Sequence, residues 1–349
     1  QINNLLVHID KNGKLMTLEE LQTIDGFDLE VIKLILPFVK VSSNVDSPQL
    51  TFNELIKNGE NTLFLRYQQV LEEKKGFSPT TDSALAASPN SRYKGDPTKL
   101  YTRYRYKYGN HVSFGITAEK DPGEEFFKGS QQQGFDFYSA HFFLQNQGKI
   151  KQLALGDFQA QFGQGLTFWT GRAFGKSADI MTIKRSAVGL RPYASVDESR
   201  FMRGAGLAME FGKIDVTAFY SYNNMDANIS LADSTQESTE VLEVSSIQQS
   251  GLHRTFNEIE DKDAITQQQM GGHISYKTRR LNVGVTGVHS QINSDFTPNL
   301  QTYSQFRNSE SQQTNLGIDY NWIYRNFNFF GEFSQSVDGG TAFVSGALV

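Results

Sequence analysis

A chain of 349 residues without a cysteine has no disulfide framework, no thiolate metal site and no cysteine nucleophile. Its net charge of −5 removes any general attraction to nucleic acid or to anionic membranes. Rings are abundant and proline is scarce, 27 Phe and 14 Tyr against 8 Pro, a bias that suits long β-strands.

Residues 1–45 carry helical spacing, with Leu18, Leu21 and Ile24 followed by Leu29, Ile32, Ile35 and Leu36. Two readings compete over residues 8–27. Asp10, Asn12, Gly13 and Glu19 fall at ligand and turn positions of an EF-hand loop, but His8 stands where the first carboxylate belongs. The second reading fits better. Thr17 and Glu20 form a capping box for a helix over 18–23, Gly26 turns the chain, Asp28 caps a second helix over 29–36, and Pro37 ends it. The hairpin residues Ile24, Asp25, Gly26, Phe27 and Asp28 are the candidate docking surface of this small domain. Residues 46–60 are polar and turn-rich, and read as a linker or plug-like segment.

From residue 61 the period changes to two. In LYTRYRYKY, Tyr104, Tyr106 and Tyr108 alternate with Arg103, Arg105 and Lys107, and Gly109 with Asn110 signals a hairpin. Ile214, Val216, Ala218, Tyr220 and Tyr222 alternate with Asp215, Thr217, Phe219 and Ser221. Leu316, Ile318, Tyr320 and Trp322 do so with Gly317, Asp319 and Asn321. Short turns near 109–110, 146–149, 212–213, 278–280 and 323–325 alternate with long polar segments at 74–97, 121–133, 161–201, 224–268 and 293–313. That asymmetry is what a barrel with periplasmic turns and external loops requires, and a soluble all-β sandwich or barrel has no reason for it. The rings Tyr106, Tyr108, Phe211, Tyr276, Trp322 and Phe327 lie next to short turns, at the level of an interfacial girdle.

The expected fold is therefore mostly β, a transmembrane antiparallel β-barrel over 61–349 with about twelve visible strands. The absence of a terminal aromatic strand signal at Val349 leads to the expectation that the barrel continues beyond it. The first strand must rise from the side of the short turns, which places residues 1–45 in the periplasm.

Signals for chemistry are sparse. The six histidines form no metal-binding pair, and neither a nucleophile elbow nor a P-loop is present, so no catalytic residue, metal or cofactor is assigned. His111 and His141 share the inner face with Ser113 and Ser139, parts that a barrel hydrolase would use. The acidic run at 257–264 (Glu258, Glu260, Asp261, Asp263) is either a cation loop or a solvated one. The segment 161–201 is rich in glycine and basic residues. It reads either as a constriction loop, with Arg172, Lys176, Lys184, Arg185 and Arg191 setting selectivity, or as a loop folded on the rim.

The segment LEELQTIDGFDLEVIKLILPFVKV, followed by a barrel-like region containing GDFQAQFGQGLTFWTGRAFGK, resembles the helix-hairpin-helix domain-containing outer-membrane β-barrel proteins of the Bacteroidota. The resemblance covers most of the chain and implies a location, the outer membrane with the N-terminal domain in the periplasm, more than an activity. Hairpins of this kind often bind DNA backbones. Here Asp28 replaces the second glycine, and four lysines in residues 1–45 face six acidic residues, which disfavours phosphate. The function expected is non-enzymatic: a subunit of an outer-membrane assembly, in contact with lipid and with another outer-membrane or periplasmic protein. The alternative is a channel or uptake pore for solute or DNA.

Overall fold

The computed structural model of the chain describes residues 1–12, 15, 17–39, 59–172, 180–231, 242–296 and 310–349. Two compact units are present, residues 1–50 and 51–349. The linker predicted at 46–60 lies almost wholly outside the described residues.

In the first unit, helix α1 (Ile2–Asn12) is followed by a 3-10 turn over Leu18–Thr23 and by helix α2 (Leu29–Ile35), which tightens into 3-10 over Leu36–Phe38. Leu21, Ile24 and Ile32 form its core, with Leu5, Leu15, Leu18, Phe27 and Ile35 packed around them. Asp28 caps α2 by accepting from the Val31 amide at 2.8 Å, and Gly26 turns the chain at φ +93. The capping box expected at Thr17 does not form: its side chain caps nothing and the segment behind it is 3-10, not α. The calcium-loop reading fails because Asp10 and Asn12 lie within α1, where Asn12 bonds His8 instead.

The second unit is an antiparallel meander. Its wall strands are β1 (Glu60–Gln69), β2 (Thr98–Tyr108), β3 (Val112–Lys120), β4 (Phe137–Gln147) and β5 (Ile150–Gln161). β6 (Gly189–Pro192) lies inside a loop, and the wall resumes with β7 (Met202–Phe211) and β8 (Ile214–Met225). β9 (Ala227–Leu231) and β10 (Leu242–Ile247) belong to an external loop, and β11 (Ile265–Lys277) and β12 (Leu281–Ile292) return to the wall. β13 (Asp295–Phe296) is external, and β14 (Gln312–Tyr324), β15 (Phe327–Ser336) and β16 (Thr341–Leu348) complete the set. Twelve strands lie on one path in chain order, with β6 attached to β5, while β9, β10 and β13 form a separate sheet. β1 and β16 are the edges of the path, and most of their residues are exposed whichever face they occupy.

The two faces decide what kind of sheet this is. Ile116, Phe142, Leu155, Leu207, Tyr220, Ile274, Val285, Leu316 and Ile318 are exposed on one face, while Thr117, Ser139, Asp215, Thr217, Ser275, Thr286, Asp319 and Glu332 are buried on the other. A soluble protein reverses this order. Hydrocarbon cannot hydrogen-bond, so a membrane strand presents apolar side chains outward and turns polar ones inward. The fold is that of a transmembrane antiparallel β-barrel. Among the described residues no helix is long and apolar enough to cross a membrane, so strands carry the crossing.

The face assignments read from alternation hold along β8 and β14, and along β2 with one exception. Phe211, Tyr276, Trp322 and Phe327 form an exposed ring layer beside the short turns. Tyr106 is an exception: it stacks on Phe114 at 4.8 Å and lies against Gly59, and is buried. Two expectations about connections need correction. The link between β15 and β16 is a tight turn over 337–340 on the side of the long loops, so long and short do not alternate to the end. The segment 224–268 is not merely a polar loop, since it holds β9, β10 and a short helix (Phe256–Glu260) around Ala227, Val244 and Ile265.

An arginine placed mid-strand on the outer face tests the assignment. Ile318→Arg should destabilise the folded barrel by about 2–4 kcal/mol, measured by denaturant titration in lipid vesicles. Thr286→Arg on the inner face should show no such dependence on bilayer depth. Equal tolerance of Ile318→Arg in lipid and in detergent would reject the outward assignment.

Candidate functional site

At Gly156, with φ +83, β5 gives up its pairing with β4, while Asp157 and Phe158 still pair with β7. A Cβ there would lie 2.3 Å from the Ala140 carbonyl oxygen, so neither the conformation nor the space admits a side chain. Beyond Gly156, Phe158 to Gln161 pair with β6 of the following loop. The residues that flank this pairing, among them Phe162, Phe168 and Leu190, thereby lie against the inner wall. Phe162 stacks on His273 at 5.0 Å and on Phe219 at 6.1 Å, and Phe168 stacks on Phe219 at 5.1 Å. Phe158, Phe162, Leu190 and Met202 join wall residues Phe143, Ala154, Ala208 and Val288 in one apolar cluster on the inner face.

A polar contact pins the loop from the far side. The carboxylate of Glu332 on β15 accepts from the backbone amides of Gln164 (2.6 Å), Leu166 (3.0 Å) and Thr167 (2.8 Å). Gly163 and Gly165, at φ +53 and +77, let these amides converge, so the stretch FGQGLT is a nest for an anion that the protein itself supplies. Thr167 sits against Gly317, where a Cβ would meet its hydroxyl. Glu332 is 3% exposed. The stretch 162–167 thus reaches along the inner face from the end of β5 to Glu332 on β15.

The five basic residues of the expected constriction are not one group. Arg172 and Arg191 line a cavity of about 380 Å³ with Arg105 and Arg200. Lys184 and Arg185 line another, of about 410 Å³, with Lys151, Lys277, Asp215 and Asp319. Lys184 donates to Asn321 at 2.8 Å, and Arg185 lies 5.4 Å from the centre of the Trp169 ring. Lys176 lies outside the described residues. Arg105 was read as an inner-face charge but Arg200 was missed, since nothing in the sequence brings either into register with Arg191. Ser113 and His141 do meet, at 3.2 Å, but among the described residues no carboxylate bonds to His141, and the constellation of a hydrolase is incomplete.

A second constellation lies in the external loops and has no sequence signature. His253 is 2% exposed; its Nδ1 contacts Asp136 at 2.6 Å and its Nε2 contacts Asp226 at 3.0 Å. Lys262 donates to Asp136 at 2.8 Å, the His253 amide donates to Glu124 at 3.1 Å, and Glu198 lies close by. Glu124, Asp136 and His253, and separately Glu198, Asp226 and His253, bring one donor atom each within 4.8 Å. These are the groupings that would suit a metal ion. Both imidazole nitrogens are engaged by carboxylates, however, so the cluster is an ion-paired knot joining three loops. The run at 257–264 supplies Lys262 and the Asp263 amide, which donates to Asp226 at 3.0 Å, while Glu258 is spent on Arg254 at 2.7 Å and on a capping box with Thr255.

Burial first, and then the neighbouring carboxylates, push Glu124 up to about 7 and Glu198 up to about 9. Burial opposes the charge of His253, yet hydrogen bonds to Asp136 and Asp226 carry it up to about 10. Burial would also raise Asp226, but its contact with His253 holds it below the usual carboxylate range.

No protein-family model matches the sequence, and no curated protein matches it. Among solved structures, a refined porin is similar at 10% identity with a TM-score of 0.35, covering 71% of this chain; this chain spans only 60% of that porin's length. A loop-deletion form of OmpT, an outer membrane protein of Vibrio cholerae, is similar at 10% identity with a TM-score of 0.29, covering 83% of this chain and 88% of its own. At such scores the assignment of an outer-membrane barrel fold rests on the faces of the sheet, and these structures add nothing to it.

The shifts fix a direction. Glu124 and Glu198 keep their protons in the fold while the unfolded chain ionises from about 4.5, so each removes stability as pH rises to about 7 and about 9. His253 contributes stability below about 6.5 that is lost as pH rises through about 10. The external loops should therefore become more susceptible to limited proteolysis between pH 5 and pH 9, with protease activity calibrated at each pH. Glu198→Gln should flatten the upper part of that profile. Rising protection toward pH 9 would contradict the arrangement.

Proposed function

We propose that the protein is a non-enzymatic outer-membrane β-barrel with a restricted bore, a solute channel whose passage is set by the loop that follows β5. The observation that carries this reading is the Glu332 carboxylate held by three backbone amides of the loop, on β15, six strands along the path from β5. Truncating that carboxylate would leave three amides without a partner, a loss on the order of 3 kcal/mol in loop docking. Planar-bilayer recording provides the test. The wild-type protein should give small unitary steps, and Glu332→Ala larger ones, with heat-modifiable gel migration confirming that both are folded. Identical conductance in the two, or none in either, would sink the reading.

A second reading is favoured by a different observation. The N-terminal unit leaves Leu6, Leu29, Leu34 and Phe38 exposed, and Phe38 reaches 87%. The hairpin expected to dock a partner is largely consumed inside the unit. Ile24 is core, Phe27 packs on it, Asp28 caps α2, and the Asp25 and Gly26 carbonyls accept from Asn4 and Gln1 at 2.9 Å. The apolar side of α2 then becomes the docking surface for an outer-membrane or periplasmic protein. Since Glu60 pairs with Lys107 near the short turn at 109–111, the chain enters the sheet from the short-turn side, which supports a periplasmic position for this unit. Acidic Asp25 and Asp28 continue to disfavour DNA. Isolation from membranes in mild detergent should bring down a stoichiometric partner that Leu34→Glu with Phe38→Glu releases. An unchanged set of co-isolated proteins would remove the docking role from this surface.

A further inference from the structure

We infer that the cavity between the inner wall and the second half of the inserted loop is a binding site for a small oxyanion, a solute bearing a phosphate, sulfate or carboxylate group. This deepens the channel reading, since it names the class of solute that the restricted bore would take.

Four arginines line the cavity, Arg105 from β2 and Arg172, Arg191 and Arg200 from the loop, around about 380 Å³ of space. One carboxylate is present. Asp197 is shared between Arg172 at 3.3 Å and Arg200 at 3.8 Å, which leaves the group with an excess of positive charge. Among the described residues neither the Arg105 nor the Arg191 side chain has a hydrogen-bond or ion-pair partner. A guanidinium cannot shed its proton to relieve such an excess, as a lysine can.

Elsewhere on the inner wall several cations sit directly on carboxylates. Asp215 takes both Lys151 and Lys277, and Glu119 takes Lys99 at 2.9 Å and Arg66 at 3.8 Å. The chain as a whole is acidic, with a net charge of −5. A local excess of arginine is therefore not a matter of composition; the fold collects these residues from one strand and one loop. Arginine forks match the planar face of a carboxylate or phosphate with paired hydrogen bonds. The Ser113 hydroxyl, held to His141, lines the same space and adds a neutral donor. The volume is at the lower end for small-ligand pockets, which suits a compact anion over a polymer.

Calorimetric titration of the detergent-purified full chain with inorganic phosphate, at constant ionic strength and against a chloride reference, tests the site. Saturable binding of one phosphate per chain is expected. Arg105→Gln and Arg191→Gln should each weaken it about 10-fold or more. Lys184→Gln, in the neighbouring cavity, should leave it unchanged and so reports on specificity. Heat no different from chloride, or wild-type affinity in the Arg105→Gln, Arg191→Gln double variant, would overturn the proposal. Displacement of bound phosphate by anionic-lipid micelles would assign the site to a headgroup and overturn the solute assignment. Phosphate binding by a barrel that does not conduct would leave this site standing and remove the channel reading; conductance without saturable phosphate binding would do the reverse.

Discussion

Hydrocarbon offers no hydrogen bond, and the second unit is organised by that fact. Every backbone group in a membrane strand must find its partner on the next strand, and each polar side chain must turn away from lipid. The outer face is left with Ile116, Ile274, Val285 and Ile318, and the inner one with Asp215, Asp319 and Glu332. Ionised groups gathered inside must then be matched by partners, and the ion pairs of Asp215 and Glu119 follow from this requirement. The inserted loop answers the same demand at Glu332, where backbone amides replace a basic side chain as the counter-charge.

The loop also shows how an apolar cluster can form inside a polar barrel. Phe143, Phe219 and Val288 point inward from the wall, where lipid does not reach them and solvent is unfavourable. Phe158, Phe162 and Leu190 cover them. Beyond Gly156 β5 exchanges β4 for β6 of the following loop while it still pairs with β7, and this pairing brings Leu190 onto the inner cluster. Placed inside, the loop carries its arginines with it, and the charge of the lumen becomes a consequence of its path.

The external loops are held by different physics. No regular sheet spans 121–136, 194–201 and 248–264, and what joins them is a buried imidazolium between two carboxylates. Such a knot is strong while its charges balance and responds to protons when they do not, since four carboxylates share two cationic partners. Stability in this layer is thereby tied to pH, whereas the wall beneath depends on hydrogen-bond ladders that pH leaves alone.

The sequence by itself determined the period-two strands, their approximate number, most of the short turns and the outward or inward side of most residues it singled out on them. These are local quantities: alternation is imposed by the strand's own geometry, and a turn needs only a few residues of the right kind. It also marked 161–201 as unusual through glycine and basic residues, without deciding between the rim and the lumen. Tertiary structure supplied the contacts between distant segments. It paired FGQGLT with Glu332 across 165 residues of chain, brought Arg105 to Arg191, and closed four carboxylates round His253. It also drew the hairpin residues of the first unit inward, where they serve its core and caps, and left the surface of α2 outside. Contacts between distant segments carry no periodicity and no spacing rule, because they arise only once the sheet has fixed where each loop begins and ends.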